Sequence, residues 1–175
     1  SGPFPLALPG VGEIGLDRLK SRDISSRMRE VFEEQLRLAV ELRRPVVLHG
    51  AKCWGQVVRA IEKLSSSPTP SCLFHGFSRS DGLIPDIVKL NGYISVGPAV
   101  LNDHAVNYRE LVKKIPPERL LVETDRTVEN AATCPSVREV LRKTAELRGL
   151  SAEELEAITD ANAARWKSRE IHAYP

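Results

Sequence analysis

Leu121-Val122-Glu123-Thr124-Asp125 is the stretch on which the fold turns: a short apolar run of strand type that ends in a carboxylate. Three earlier runs have the same form. Val11-Gly12-Glu13-Ile14-Gly15 carries an acid at its centre, while Val46-Val47-Leu48-His49 and Cys72-Leu73-Phe74-His75 each end in an imidazole. Tyr93-Ile94-Ser95-Val96 makes a fifth strand. Between the strands, apolar residues recur at helical spacing: Met28, Phe32, Leu36, Ala39 and Val40 behind a Ser25 or Ser26 cap, then Trp54, Val57, Val58, Ile61 and Leu64, then Leu83, Ile84, Ile87 and Val88 within 81–90, then Tyr108, Leu111, Val112 and Ile115. Ser136 with Glu139 and Ser151 with Glu154 spell two capping boxes, and Gly149 between them is a helix terminator.

Wholly apolar strands alternating with helices predict parallel pairing through crossover helices, hence an α/β fold. Candidate ligands stand where strands stop and loops begin, which favours a TIM-like (β/α) barrel over an open sheet, because barrel active sites are built at the carboxyl ends of several strands. Only five of eight β/α units are counted. The expectation is therefore a single domain over 1–175 that is incomplete at its N-terminal side, with Val11–Gly15 and Leu120–Glu123 as open sheet edges.

Composition narrows the function classes. A chain of 175 residues, 42% hydrophobic and 27% charged, is long enough for one real core. With 25 basic and 23 acidic residues the net charge is +2, so no overall field attracts polyanions, and nucleic acid would need a local patch. Cys53, Cys72 and Cys134 are widely spaced and form no CxxC pair, which argues against a disulfide framework or a structural zinc site. No run approaches the ~20 apolar residues of a membrane span, and the first residues lack the order of a signal peptide. These readings predict no membrane association and an intracellular location, cytoplasmic or nuclear.

A lone His at the end of a buried strand is more often a packing residue than a ligand. Two His and two acids in the same structural position are a different matter. A carboxylate at a buried strand end is unfavourable unless paired or metal-bound, and imidazole with carboxylate is a donor set for zinc, manganese or another divalent ion. Glu13, His49, His75 and Asp125 are thus the candidate metal ligands. Glu123 shares a face with Asp125 and either orients a ligand or serves structure. His104, in a loop after Asn102-Asp103, and His172, near the C-terminus, read as solvent-facing, and Cys53 and Cys72 as inert buried thiols.

Gly12-Glu13-Ile14-Gly15-Leu16-Asp17, Pro45-Val46-Val47-Leu48-His49, Phe74-His75-Gly76-Phe77-Ser78 and Leu121-Val122-Glu123-Thr124-Asp125 together resemble the motifs of the TatD-type metal-dependent deoxyribonucleases. Val31–Leu36, Gly92–Ser95 and Asn162–Trp166 extend the resemblance over essentially the whole chain. It implies an amidohydrolase-like barrel with one or two divalent ions (zinc, manganese or magnesium) and DNA as substrate. Glu13 would bridge the ions, His49 and His75 would hold one of them, and Asp125 would bind the other and assist the attacking water. Lys52, Arg79 and Arg126, in loops on the same side, are candidate phosphate contacts as a group. Three departures stand out: no His-x-His pair occurs, the loop after His49 offers Lys52 where the pattern has Arg, and Arg126-Thr127 replaces Ala-Pro. Two alternatives stay open. One is a catalytically silent scaffold whose sheet edges are covered by a partner or a second copy; the other is a metal-dependent hydrolase of a different ester or amide.

Overall fold

The computed structural model describes residues 10–19, 23–64 and 69–168. Its elements alternate as expected: β1 (Val11–Asp17), α1 (Ser26–Glu41), β2 (Val46–Ala51), α2 (Trp54–Glu62), β3 (Cys72–Phe74), α3 (Ile84–Lys89), β4 (Tyr93–Val96), α4 (Val106–Lys114), β5 (Leu120–Val122), α5 (Val137–Arg148) and α6 (Ala152–Lys167). The five strands form one parallel sheet in the order β1-β2-β3-β4-β5. That singly wound order carries each crossover in the same direction and leaves helices on one face only, which is the winding of a TIM-like barrel rather than of a doubly wound sheet. Among the described residues, β1 and β5 are the two edges.

Period-two alternation separates the faces. Ile14, Leu16, Val46, Leu48, Cys72, Phe74, Ile94, Val96 and Leu120 enter the main core with Phe32, Leu36, Trp54, Val57, Ile61, Ile87, Val112 and Val140 from the helices. On the opposite face and outside that core, Leu73 pairs with Tyr93 and Ser95 with Leu121. Both capping boxes are formed. The Ser136 and Ser151 side chains accept the Glu139 and Glu154 amides, and each Glu bonds back to its cap. Gly149 closes α5 in the left-handed conformation, φ 68°, which glycine holds without a Cβ penalty.

The boundaries differ from the sequence expectation at β1, β2, β3, β5 and the segment 81–90; β2 continues past His49 to Ala51, so His49 lies within its strand and not at its end. β1 runs on to Asp17 instead of stopping at Gly15, because Leu16 and Asp17 still pair with Gly50 and Ala51 of β2. Glu13 is accordingly an interior residue of its strand and not its end. β3 stops at Phe74 and β5 at Val122, so His75, Glu123 and Asp125 stand on the loops just beyond. The helix expected over 81–90 divides into a 3-10 turn, Asp81–Leu83, and α3; Pro85 falls in the first α-helical turn, where its missing N–H is tolerated. His172, and most of the loops expected over 1–10 and 65–71, lie outside the described residues.

Candidate functional site

Register brings the candidate residues to one end of the sheet. Gly15 pairs with His49, and β1 packs so closely there that a Cβ on Gly15 would lie 1.9 Å from the His49 carbonyl oxygen. Only glycine permits that approach. Ile14 and Leu16 are buried in the core while Glu13, Gly15 and Asp17 take the other face, so the strand's two acids flank its glycine on the side of the His49 ring. Beneath the mouth, Trp54, Phe74 and Phe77 pack with ring centroids 5.4–6.5 Å apart and support the His75–Ser78 turn.

Three of the four candidate ligands converge. One ligand atom each from Glu13, His75 and Asp125 lies within 4.8 Å of the others. His75 Nε2 is 3.5 Å from Glu13 Oε1 and 3.8 Å from Asp125 Oδ1. The fourth, His49, stands beside this group: its Nδ1 is 3.9 Å from Glu13 Oε2 and its Nε2 is 3.3 Å from Asp17 Oδ2. Asp17, the last residue of the Gly12–Asp17 motif, is thus a further neighbour of the site, brought there by the pairing of β1 with β2. The His75 side chain is only 13% exposed, against 47% for Glu13 and 66% for Asp125, so the cluster is rooted in the protein and open on one side.

Glu123 explains the orientation of His75. Its Oε2 is hydrogen-bonded to His75 Nδ1 and to the Ser95 hydroxyl (2.7 Å), and its Oε1 accepts the Gly76 amide (2.7 Å). An ionised Glu123 places the ring proton on Nδ1 and leaves the Nε2 lone pair toward Glu13 and Asp125, the tautomer a metal ligand requires. The same hydrogen bond raises the His75 pKa; burial opposes it, and the charges of Glu123, Glu13 and Asp125 add to the rise. Glu123 thus ties the His75–Gly76 turn to β4 and holds the His75 ring in one orientation. Tyr108 packs behind it, its hydroxyl accepting the Gly97 amide at 2.9 Å, and burial pushes that phenol up to about 12.

The donor set fits a divalent cation. No Lys or Arg among the described residues pairs with Glu13, Glu123 or Asp125; their ionic partners are His49 and His75. Such an excess of carboxylate around a largely buried imidazole is the environment that a cation relieves.

Of the three candidate cations, Lys52 and Arg79 line cavities at this mouth, whereas Arg126 lines neither of them. His104 is exposed at the rim, as expected. Cys72 is fully buried with its thiol raised to about 12; Cys53, also buried, is raised by burial first and by Asp17 second. No helix in the described residues is long and apolar enough to cross a membrane.

A family model described as TatD related DNase matches residues 7–167. The chain is 33% identical over 162 residues to a protein named uncharacterized metal-dependent hydrolase YabD of Bacillus subtilis, covering 89% of this chain and 63% of that one. It is 30% identical over 167 residues to a protein named 3'-5' ssDNA/RNA exonuclease TatD of Cronobacter sakazakii, with the same coverages, 89% and 63%. The chain therefore spans a little under two thirds of the length of these relatives. Among solved structures, a TatD homolog, YJJV of Escherichia coli K12, superposes with a TM-score of 0.75 at 26% identity over 90% of this chain and 62% of its own. A TatD family hydrolase of Entamoeba histolytica has the same fold, at TM-score 0.75 and 16% identity over 93% of this chain and 64% of its own.

Proposed function

The chain belongs to the TatD-related DNase family, and we propose that it acts as a divalent-metal-dependent hydrolase that cleaves phosphodiester bonds in DNA. The observation that carries this reading is the meeting of Glu13, His75 and Asp125 within 4.8 Å, with His75 Nε2 directed into the group by Glu123. In it, Glu13, His75 and Asp125 would hold the metal, with His49 beside them on the β2 side. A bound divalent ion supplies Lewis-acid activation of water and offsets charge on a phosphoryl group.

The chain's own residues do the rest. Glu123 fixes the His75 tautomer, and Glu13 joins the two histidines from its place between them. Asp125, the most exposed carboxylate of the group, takes the proton from the attacking water, since it is the one that solvent and substrate reach together. Lys52 and Arg79 provide positive charge at the same mouth for phosphate. DNA as the substrate is supported by the family model and by the name of the Cronobacter relative.

The test is a nuclease assay on single-stranded and duplex oligonucleotides with Mn²⁺, Mg²⁺ or Zn²⁺. Activity that requires the metal, stops on chelation and falls at least ~100-fold in His75→Ala or Asp125→Asn is expected for groups that act only with the metal in place. Metal-independent cleavage, or full activity in both variants, would contradict the assignment.

A further inference from the structure

His49 stands between two carboxylates of one strand. Asp17 Oδ2 lies 3.3 Å from its Nε2, and Glu13 Oε2 lies 3.9 Å from its Nδ1. The two acids share a face of β1 on either side of Gly15, which pairs with His49, so the register of β1 on β2 sets both contacts. A neutral imidazole has one N–H and one lone pair, whereas an ionised carboxylate only accepts. The neutral ring can therefore donate to one of these acids and not to both.

Distance and packing choose Asp17. At 3.3 Å its contact is within hydrogen-bonding reach, and at 3.9 Å the Glu13 contact is not. Asp17 is also held in place, because its Oδ1 accepts the Leu19 amide at 2.6 Å and its side chain is 20% exposed, against 47% for Glu13. With the ring proton on Nε2, the Nδ1 lone pair faces Glu13 Oε2, acceptor against acceptor, an arrangement that a cation between them relieves. His75 is arranged in the opposite sense. There the outer acid, Glu123, takes Nδ1, and Nε2 faces Glu13 Oε1. Each ring offers Glu13 a different nitrogen, and each is turned by the carboxylate behind it.

Resting on the hydrolase reading above, we infer that Asp17 is a positioning residue: by holding the His49 proton on Nε2, it presents Nδ1 to a divalent cation shared with Glu13. Asp17 itself touches neither cation nor substrate, and it acts only through the His49 ring.

Asp17→Asn and Asp17→Ala separate positioning from structure. The Leu19 amide keeps the asparagine oxygen on its own side, so the new NH₂ group faces His49 Nε2, which must then accept, and the proton moves to Nδ1. The amide thus preserves packing and reverses the ring, whereas alanine leaves the ring free to take either tautomer. Three quantities are measured on the full chain: the His49 tautomer in long-range proton–nitrogen correlation spectra, assigned with His49→Ala, the affinity for Mn²⁺, and the melting temperature. The expected results are an Nε2 proton in the wild type and an Nδ1 proton in Asp17→Asn. Mn²⁺ affinity falls about tenfold in Asp17→Ala and about 100-fold in Asp17→Asn, while the melting temperature of Asp17→Asn stays nearer the wild type. In a His49→Ala background, Asp17→Asn changes the affinity no further. An Nδ1 proton in the wild type, or affinities that follow the melting temperatures, would overturn the inference. So would an equal loss from Asp17→Asn with and without His49, which would make Asp17 a ligand in its own right. A wild-type protein that binds no Mn²⁺ would instead overturn the hydrolase reading, and this with it.

Discussion

At the scale of single residues, Glu123 is the group whose role is most sharply testable. It is satisfied three times over, by His75, Gly76 and Ser95, and the first of these bonds sets which His75 nitrogen faces Glu13 and Asp125. Removing such an outer carboxylate lowers metal affinity by roughly 10–100-fold. Glu123→Ala is expected to fall in that range, Glu123→Gln to lose less because the amide oxygen still accepts, and titration with Mn²⁺ distinguishes them. An unchanged affinity in both would make Glu123 a purely structural residue. A second prediction concerns the thiols. Cys72 is fully buried and Cys53 nearly so, while Cys134 is half-buried with its Sγ 3.3 Å from the Thr124 carbonyl oxygen. One fast-reacting thiol per folded chain, mapped to Cys134 by mass spectrometry, is the expected outcome of labelling at pH 8. The residue scale is also where the sequence spoke least evenly. That Glu13, His75 and Asp125 stand in or just beyond strand-type runs was legible, and the fold brings these three together. The Asp17–His49 pair was not, since it depends on β1 and β2 being in register from Gly15 to Asp17, and no local pattern states which strand lies beside which.

At the scale of elements, most of the structure could be read in advance. α1 to α5 carry an apolar face at helical spacing, whereas α6 buries Leu155 beside Thr159 and Asn162, and both capping boxes formed where Ser and Glu stand three apart. Ser136→Ala or Ser151→Ala removes one capping hydroxyl and is expected to reduce stability by about 1 kcal/mol, a fall in melting temperature of roughly 2–4 °C for a chain of this length. Scanning calorimetry checks it, and a null effect in both would show that packing of α5 and α6 outweighs their caps. Strand ends were less legible. Leu120–Glu123 is an unbroken β-type run, yet pairing ends at Val122 because β4 gives way to the 3-10 turn beginning at Pro98. The chain then turns through Asp125, whose left-handed backbone, φ 49°, aspartate tolerates better than most residues. The carboxylate therefore reaches the mouth from a loop, which the apolar pattern alone could not reveal.

At the scale of the whole molecule, the core and the site are one structure. Phe74 is fully buried, packs 5.7 Å from Trp54 and 6.5 Å from Phe77, and directly precedes His75. Phe74→Ala is expected to lose roughly 3–5 kcal/mol and to weaken metal binding as well, because the turn holding His75 loses its floor; chemical denaturation and Mn²⁺ titration on the same sample test the coupling. Metal binding feeds back on the fold in the same way, since a ligand that binds only the folded chain at about 100 times its Kd adds about 2.7 kcal/mol of stability. The central claim is that Glu13, His75 and Asp125 form a metal site, and the most direct measurement is calorimetric titration of Mn²⁺ into the wild-type protein and into His75→Ala, with circular dichroism confirming that both are folded. Binding by the wild type and its loss in the folded variant is the predicted result; equal affinity in the two proteins would contradict it.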